Sequence, residues 1–217
     1  MFDANSNTLT LLVDCALKSS VVALSCEGRI LAHVTSNGEA PHSITLLAAI
    51  DLVLSQAKRV LSQIQQVVFS NGPGGFSSLR VGLATLGGLF MGTQVKLFPV
   101  SSLLLRCLSQ TQTSNQKTAS VMRGQMGQVF VGCLENSDFK EWASPINEAV
   151  RCLQNFTPAV LCGDGAKTLL EAGLEATRCE VLPDLVTPEA FLKLGKDFPL
   201  MAVSWSAVRL SYFREAV

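Results

Sequence analysis

Charge is scarce in this chain. Lys, Arg, Asp and Glu make up 16% of its 217 residues, and 17 basic residues balance 17 acidic ones. No basic run occurs, and no aromatics interleave with Lys or Arg. Nucleic-acid affinity rests on phosphate neutralisation, so this chain alone lacks the footprint for it, although a partner could supply one. Histidine is scarcer still: His33 and His42 are the only two. Without an HxxxH or HExxH spacing, the common zinc hydrolase arrangement is excluded. The seven cysteines (Cys15, Cys26, Cys107, Cys133, Cys152, Cys162 and Cys179) are odd in number and form no CxxC pair. Most lie in apolar runs and read as small buried hydrophobes in a reducing compartment. No Walker, GxGxxG or GxSxG pattern occurs, which removes the usual signatures of a P-loop, a dinucleotide site and a serine hydrolase. The most apolar stretch, Val81–Met91, falls far short of the roughly 20 residues needed to cross a membrane. The N-terminus, MFDANSNTLT, has no basic region followed by an apolar core, so no secretory signal is read. Cytoplasm is the expected location.

What the chain has in excess is apolar side chains. They account for 48% of it, and mean hydropathy is +0.34. Disorder is incompatible with such a composition. The surplus needs a destination beyond an ordinary core, and a protein–protein interface would provide one. The length suits one large domain or two small ones.

The stretch that organises the rest is Asn71–Gly92, NGPGGFSSLRVGLATLGGLFMG. An apolar run, Val67-Val68-Phe69, reads as a strand end. The turn Gly72-Pro73-Gly74-Gly75 follows, and then a helix with Ser77 or Ser78 as N-cap. Apolar residues go round this whole helix, and only Arg80 is charged. A helix of that kind is covered on all sides. It also holds Gly82, Gly87 and Gly88, each costing roughly 1 kcal/mol against Ala in a helix interior. Close approach of another backbone would compensate. Two readings stay open: a central core helix, or a helix with one face in its own core and the other on a partner.

Along the chain, Leu9–Val13, Ser20–Ser25 and Arg29–Thr35 read as an antiparallel meander. Asp14 ends its first strand, where an acid can hold a metal ion or a water near phosphates, or simply cap a turn. His42–Leu61 reads as a long helix with Leu46, Leu47, Ile50, Val53, Leu54, Ala57 and Leu61 at helical spacing. Gln65–Phe69 and Lys96–Val100 are strands, and Ser101 or Ser102 caps a helix to about Leu108. The polar stretch Thr111–Lys117 is the candidate boundary between a domain of residues 1–110 and one of 111–217. The second half repeats the plan. Strands are read at Thr118–Met122, Gln128–Leu134, Ala159–Cys162 and Cys179–Leu182, and helices at Ile146–Leu153, Ala166–Ala172 and Pro188–Lys196. Glycine-rich turns opening helices, at Gly72–Ser77 and Gly163–Gly165, can present amides to a phosphate.

The run Asn71–Gly82 resembles the GPGSFTGLRIG motif of the TsaB (YeaZ) family. Leu12-Val13-Asp14 with Ser19–Leu24 resembles that family's LDTS…SVAL opening, and His42-Ser43 with Leu46-Leu47 its HSxxLL helix start. Pro99–Leu103 resembles its GVSSL, Met126–Phe130 its MGEVY turn, and Tyr212-Phe213-Arg214 its terminal YLR. The likeness runs in order over nearly the whole chain. It implies an α/β fold of two tandem ribonuclease-H-like lobes, as in actin and hexokinase. It also implies a non-catalytic scaffold role in making threonylcarbamoyladenosine beside the tRNA anticodon. The implied partners are a catalytic TsaD-type subunit and a TsaE-type ATPase, with a homodimer when alone and tRNA met only through the complex. The resemblance places the heterodimer contact on a helix bundle built from His42–Leu61 and Ser78–Met91. Leu46, Leu47, Ile50, Leu54, Leu79, Leu83, Leu86 and Phe90 are its candidate residues. Candidate phosphate or nucleotide contacts are Asp14, Gly72, Gly74, Gly75 and Ser77. No metal and no cofactor of its own is expected, with ATP or ADP conceivable at the subunit junction. The family's DARMGE turn reads Arg123-Gly124-Gln125-Met126-Gly127-Gln128 here, so any ion pair or polar contact the family makes at Arg123, Gln125 and Gln128 is absent or rebuilt, and the family's Thr after the opening Asp is Cys15. The rival reading is an ATP-dependent, kinase-like enzyme of the same fold.

Overall fold

A computed structural model describes residues 1–113, 115–175, 179–195 and 197–211. The Tyr212-Phe213-Arg214 run lies outside the described residues. The chain forms two compact units, one of Met1–Ser102 with the described part of Thr187–Tyr212, the other built on Leu103–Val186.

In the first unit, β1 (Thr10–Asp14), β2 (Ser20–Cys26) and β3 (Arg29–Ser36) form the antiparallel meander read from the sequence. Helix α1 (His42–Gln56) leads through a short 3-10 turn to β4 (Gln66–Gly72), which pairs in parallel with β1. Helix α2 (Phe76–Phe90) then leads to β5 (Lys96–Ser101), parallel to β4. The sheet order is β3-β2-β1-β4-β5. Leu11, Leu12, Val13, Val67, Val68 and Phe69 are all buried, which is why β1 and β4 read as unbroken apolar runs rather than alternating ones.

Two element ends depart from the sequence reading. The apolar period continues to Leu61, but α1 stops at Gln56. Lys58 turns left-handed (φ 52°) and the Arg59 amide reaches back to Leu54 O at 2.9 Å, closing the helix by its backbone. At the start of α2, Ser77 and Ser78 lie inside the first turn. Gly75 is the N-cap residue, and no side chain caps the helix.

The second unit repeats the first. Its strands are β6 (Thr118–Arg123), β7 (Gln128–Glu135), β8 (Asp138–Pro145), β9 (Val160–Cys162) and β10 (Glu180–Val181). The meander β6-β7-β8 is antiparallel, β9 pairs in parallel with β6, and the order is β10-β9-β6-β7-β8. Read from the meander edge, it is the same order and set of directions as the first sheet. Helix α3 (Ser102–Gln110) feeds this unit, and α4 (Ile146–Phe156) and α5 (Ala166–Glu171) complete it. Val121, Val129, Val131, Leu153, Leu161 and Leu169 form its core. The fold is α/β, two tandem ribonuclease-H-like lobes.

The units divide elsewhere than at 110/111. The polar stretch stays with the second unit, Thr111 Oγ1 donating to Cys107 O at 2.7 Å and meeting Thr118 Oγ1 at 3.1 Å. After Val186 the chain returns to the first unit. There α6 (Pro188–Leu192) packs on β2 and β3, and Val203 bridges to Leu97. Long-range pairing of this kind leaves no local sequence signal.

Candidate functional site: the glycine loop and the paired helices

The glycine loop is closed by the chain itself. Gly75 donates its amide to Ala16 O at 2.7 Å. A side chain at Gly74 would strike the Ala16 backbone, and one at Gly72 (φ +119°) would strike Ser211 O. The Ser211 amide donates to Asn71 O at 2.7 Å, and Asn71 Nδ2 donates to Arg209 O at 3.0 Å. A returning strap thus covers one side of the loop and the β1–β2 connection the other. Asp14 is buried, and its Oδ1 accepts from the Ala16 amide at 3.4 Å, a turn-holding role. Burial, and secondarily the Asp14 carboxylate, push the Cys15 thiol well up. Such a thiol is a packing group rather than a nucleophile.

The second unit builds the same loop. Gly165 donates to Val121 O at 2.9 Å, as Gly75 does to Ala16. Asp164 between the glycines accepts from the Arg123 amide at 2.9 Å and pairs with Arg123 Nε at 3.4 Å. Arg123 of the altered turn is thus held to the Gly163–Gly165 loop. Gln125 O accepts from the Gln128 amide, and Met126 stands almost wholly exposed at the tip.

The two apolar helices lie side by side in the first unit. Helix α1 buries His42, Leu46, Ala49, Ile50, Val53 and Leu54, and α2 buries Leu79, Gly82, Leu86 and Phe90. Six of the eight residues expected at a partner contact are therefore core residues: Leu46, Ile50, Leu54, Leu79, Leu86 and Phe90. Only Leu47, 49% exposed, and the half-buried Leu83 reach the surface. The physical reason is that a helix apolar on every side gives no sign of which stripe faces its own sheet.

The stripe that faces out is largely apolar as well, broken by the exposed Asp51 on α1 and Arg80 on α2. On α1 it carries Ile44, Leu47 and Leu52, and on α2 Phe76, Ala84, Gly87, Gly88, with Met91 just beyond. Ile44 is 69% exposed and Met91 63%. Arg80 lies over the Phe76 ring at 3.7 Å. Trp205, stacked on Phe90 and donating Nε1–H to Val95 O at 2.9 Å, flanks a shallow depression with Arg80, Leu83, Ala84, Gly87, Gly88 and Met91.

The glycines of α2 separate cleanly. A Cβ at Gly82 would strike Cys15 Sγ and the Phe69 ring, so packing of α2 on the sheet requires glycine there. A Cβ at Gly87 would touch only the Met91 methyl at 3.8 Å, and one at Gly88 would meet nothing within 4 Å. Among the described residues, no close packing accounts for these two.

Among the described residues, no group of three or more His, Cys, Asp or Glu side chains could hold a metal ion, and no helix is long and apolar enough to cross a membrane.

Comparison with known proteins follows the same lines. Residues 29–152, over half the chain, match the family model described as TsaD, tRNA N6-adenosine threonylcarbamoyltransferase. The tRNA threonylcarbamoyladenosine biosynthesis protein TsaB of Haemophilus influenzae is 26% identical over 152 residues, 66% of this chain and 64% of the relative. The chain thus spans somewhat less than two-thirds of that protein's length. The protein of the same name from Buchnera aphidicola is 23% identical over 170 residues, 74% of this chain and 80% of the relative. Among solved structures, YeaZ from Pseudomonas aeruginosa superposes with a TM-score of 0.75 at 20% identity, covering 94% of this chain and 99% of its own.

Proposed function

The chain belongs to the TsaB (YeaZ) family of tRNA threonylcarbamoyladenosine biosynthesis proteins, and we propose that it serves that pathway as a scaffold without catalysis of its own. It pairs with a TsaD-type catalytic subunit through the outward stripe of α1 and α2. A TsaE-type ATPase joins the pair, tRNA is met only through the complex, and the same stripe forms a homodimer when the partner is absent. It brings no cofactor; ATP or ADP enters at the junction with the catalytic subunit. The cytoplasm is its place of work.

The observation that carries this reading is the pair Gly87–Gly88. Two helix-interior glycines together cost about 2 kcal/mol against alanine. Gly82 is required by packing on the sheet, but a Cβ at Gly88 would meet nothing and one at Gly87 only the Met91 methyl, in the middle of a largely apolar stripe. Close approach of a partner helix to the α2 backbone gives them a purpose, and it gives the exposed Ile44, Leu47 and Met91 a cover. The test is reconstitution. Threonylcarbamoyl transfer to tRNA by the TsaD-type and TsaE-type proteins of the same organism should depend on this chain and should fail with a Gly88→Trp variant. Full transfer in its absence would end the reading.

A further inference from the structure

A cleft of roughly 400 Å³ opens in the first unit. It is lined by Lys18, Gly38, Pro41 to Ser43, Ser77, Ser78 and Val81. The first turns of α1 and α2, each 15 residues long, meet there. Neither helix has a side-chain cap, and neither carries an acid in its first turn. The N-terminal ends of two helix dipoles therefore face one space with no carboxylate among the described residues that line it. Lys18 is the one full charge of the lining, which contains no carboxylate.

A second, independent observation comes from His42. It lines this cleft and is 6% exposed. Its Nε2 donates to Leu17 O at 2.7 Å, which fixes the ring. Its Nδ1 is buried, with no hydrogen-bond partner among the described residues. A buried ring nitrogen left unpaired is costly and calls for a partner. In the neutral ring Nδ1 accepts, and a hydrogen phosphate can donate to it. In the imidazolium it donates, and a phosphate oxygen can accept. The hydroxyls of Ser43, Ser77 and Ser78 add groups able to donate to the same ligand.

We infer that this cleft is a phosphate site, holding a phosphate group between Lys18, the amide ends of α1 and α2, and His42. The shared chemistry is a tetrahedral oxyanion, supplied either by a nucleotide's phosphates or by free phosphate. The space exceeds that of one phosphate group, which leaves room for the nucleotide case. The inference does not use the glycine pair: the cleft lies at the N-terminal ends of α1 and α2, and Gly87 and Gly88 lie near the other end of α2.

The test is calorimetric titration of the full chain with sodium phosphate, ADP and adenosine, each against sodium chloride at equal ionic strength. Lys18 and Ser77 are exposed, so Lys18→Glu and Ser77→Asp alter the cleft without burdening the core, whereas a His42 variant would also lose the anchor to Leu17. Saturable phosphate binding, weakened about tenfold in each variant by a lost or reversed charge contact, is the expected result. Tighter binding of ADP than of phosphate identifies a nucleotide source, and phosphate alone identifies free phosphate. No saturable heat with either phosphate or ADP, adenosine binding as well as ADP, or binding unchanged in both variants would overturn the inference.

Discussion

Gly75 gives its amide to Ala16 O at 2.7 Å, and no space remains beside it: a Cβ on the neighbouring Gly74 would strike the Ala16 carbonyl, its Cβ and its carbonyl carbon. The loop that looks from sequence like an open cradle is a joint between the two connections that follow β1 and β4. Gly74→Ala forces backbone against backbone, an overpacking cost of about 1–3 kcal/mol. Thermal unfolding of the variant should fall by several degrees at this chain length. An unchanged Tm would mean that the β1–β2 connection yields freely.

The opposite outcome is expected fourteen residues on. Gly88→Ala adds a methyl into open space in a helix interior and should stabilise the isolated chain by about 1 kcal/mol. Denaturant titration of the two glycine variants side by side checks both signs at once. A destabilising Gly88→Ala would show that the chain itself needs this glycine, and the argument for a partner would lose its base.

Adjacent residues on α1 should behave as opposites. Leu47→Asp places a charge on the exposed stripe and should change stability by no more than about 0.5 kcal/mol. Leu46→Asp buries an unpaired carboxylate and should cost about 4 kcal/mol or more, enough to unfold many domains. Far-UV circular dichroism during urea titration distinguishes them. Folded protein from both variants would contradict the orientation of α1 described above.

In the second unit, Asp164 and Arg123 are unequal partners. The Arg123 side chain is 65% exposed and its ion pair is 3.4 Å long, so Arg123→Ala should cost under about 0.5 kcal/mol. Asp164 also accepts from the Arg123 backbone amide. Asp164→Ala leaves that donor without its partner and should cost about 1–2 kcal/mol. Equal losses would mean that the ion pair, not the backbone bond, holds the two turns together.

The buried thiols set an alkaline limit. Burial pushes the Cys107 thiol from the ordinary value of 9.0 up to about 12. The folded state thus keeps a proton that the unfolded chain releases above about pH 9. Stability from this group is full below that pH and falls between about 9 and 12, by about 1.4 kcal/mol per pH unit. Urea midpoints at pH 8 and pH 10, under reducing conditions, should drop more for the wild type than for Cys107→Ala. Equal drops would show that this thiol titrates normally in the folded chain.

Much of this fold was legible because its signals are local. Val67-Val68-Phe69 followed by three glycines reads as a strand and turn in any context, and the repeat of the meander in the second half follows from the same runs. What failed needed information that no window of sequence holds. Strand β8 went unread because Asp138, Lys140 and Glu141 make it polar; it is a half-exposed edge strand, which tolerates such residues. The division of the core was missed for a different reason. Leu46 and Leu47, or Leu83 and Leu86, are interchangeable by composition, and only the angle at which each helix meets the sheet decides which is covered. The return of Ser211 and Trp205 to the first unit is a long-range pairing with no motif of its own. Gly82, Gly87 and Gly88 look alike in the sequence, and only the structure shows that the first is required from within and the others are not.

The central claim is that the outward stripe of α1 and α2 is made for a partner. Size-exclusion chromatography with light scattering tests it most directly, on this chain alone and mixed with the TsaD-type protein of the same organism. A complex at the summed mass that forms with the wild type and is lost with Leu47→Asp and with Gly88→Trp, both still folded, is the predicted result. No complex with the wild type, or a complex untouched by both substitutions, would contradict it.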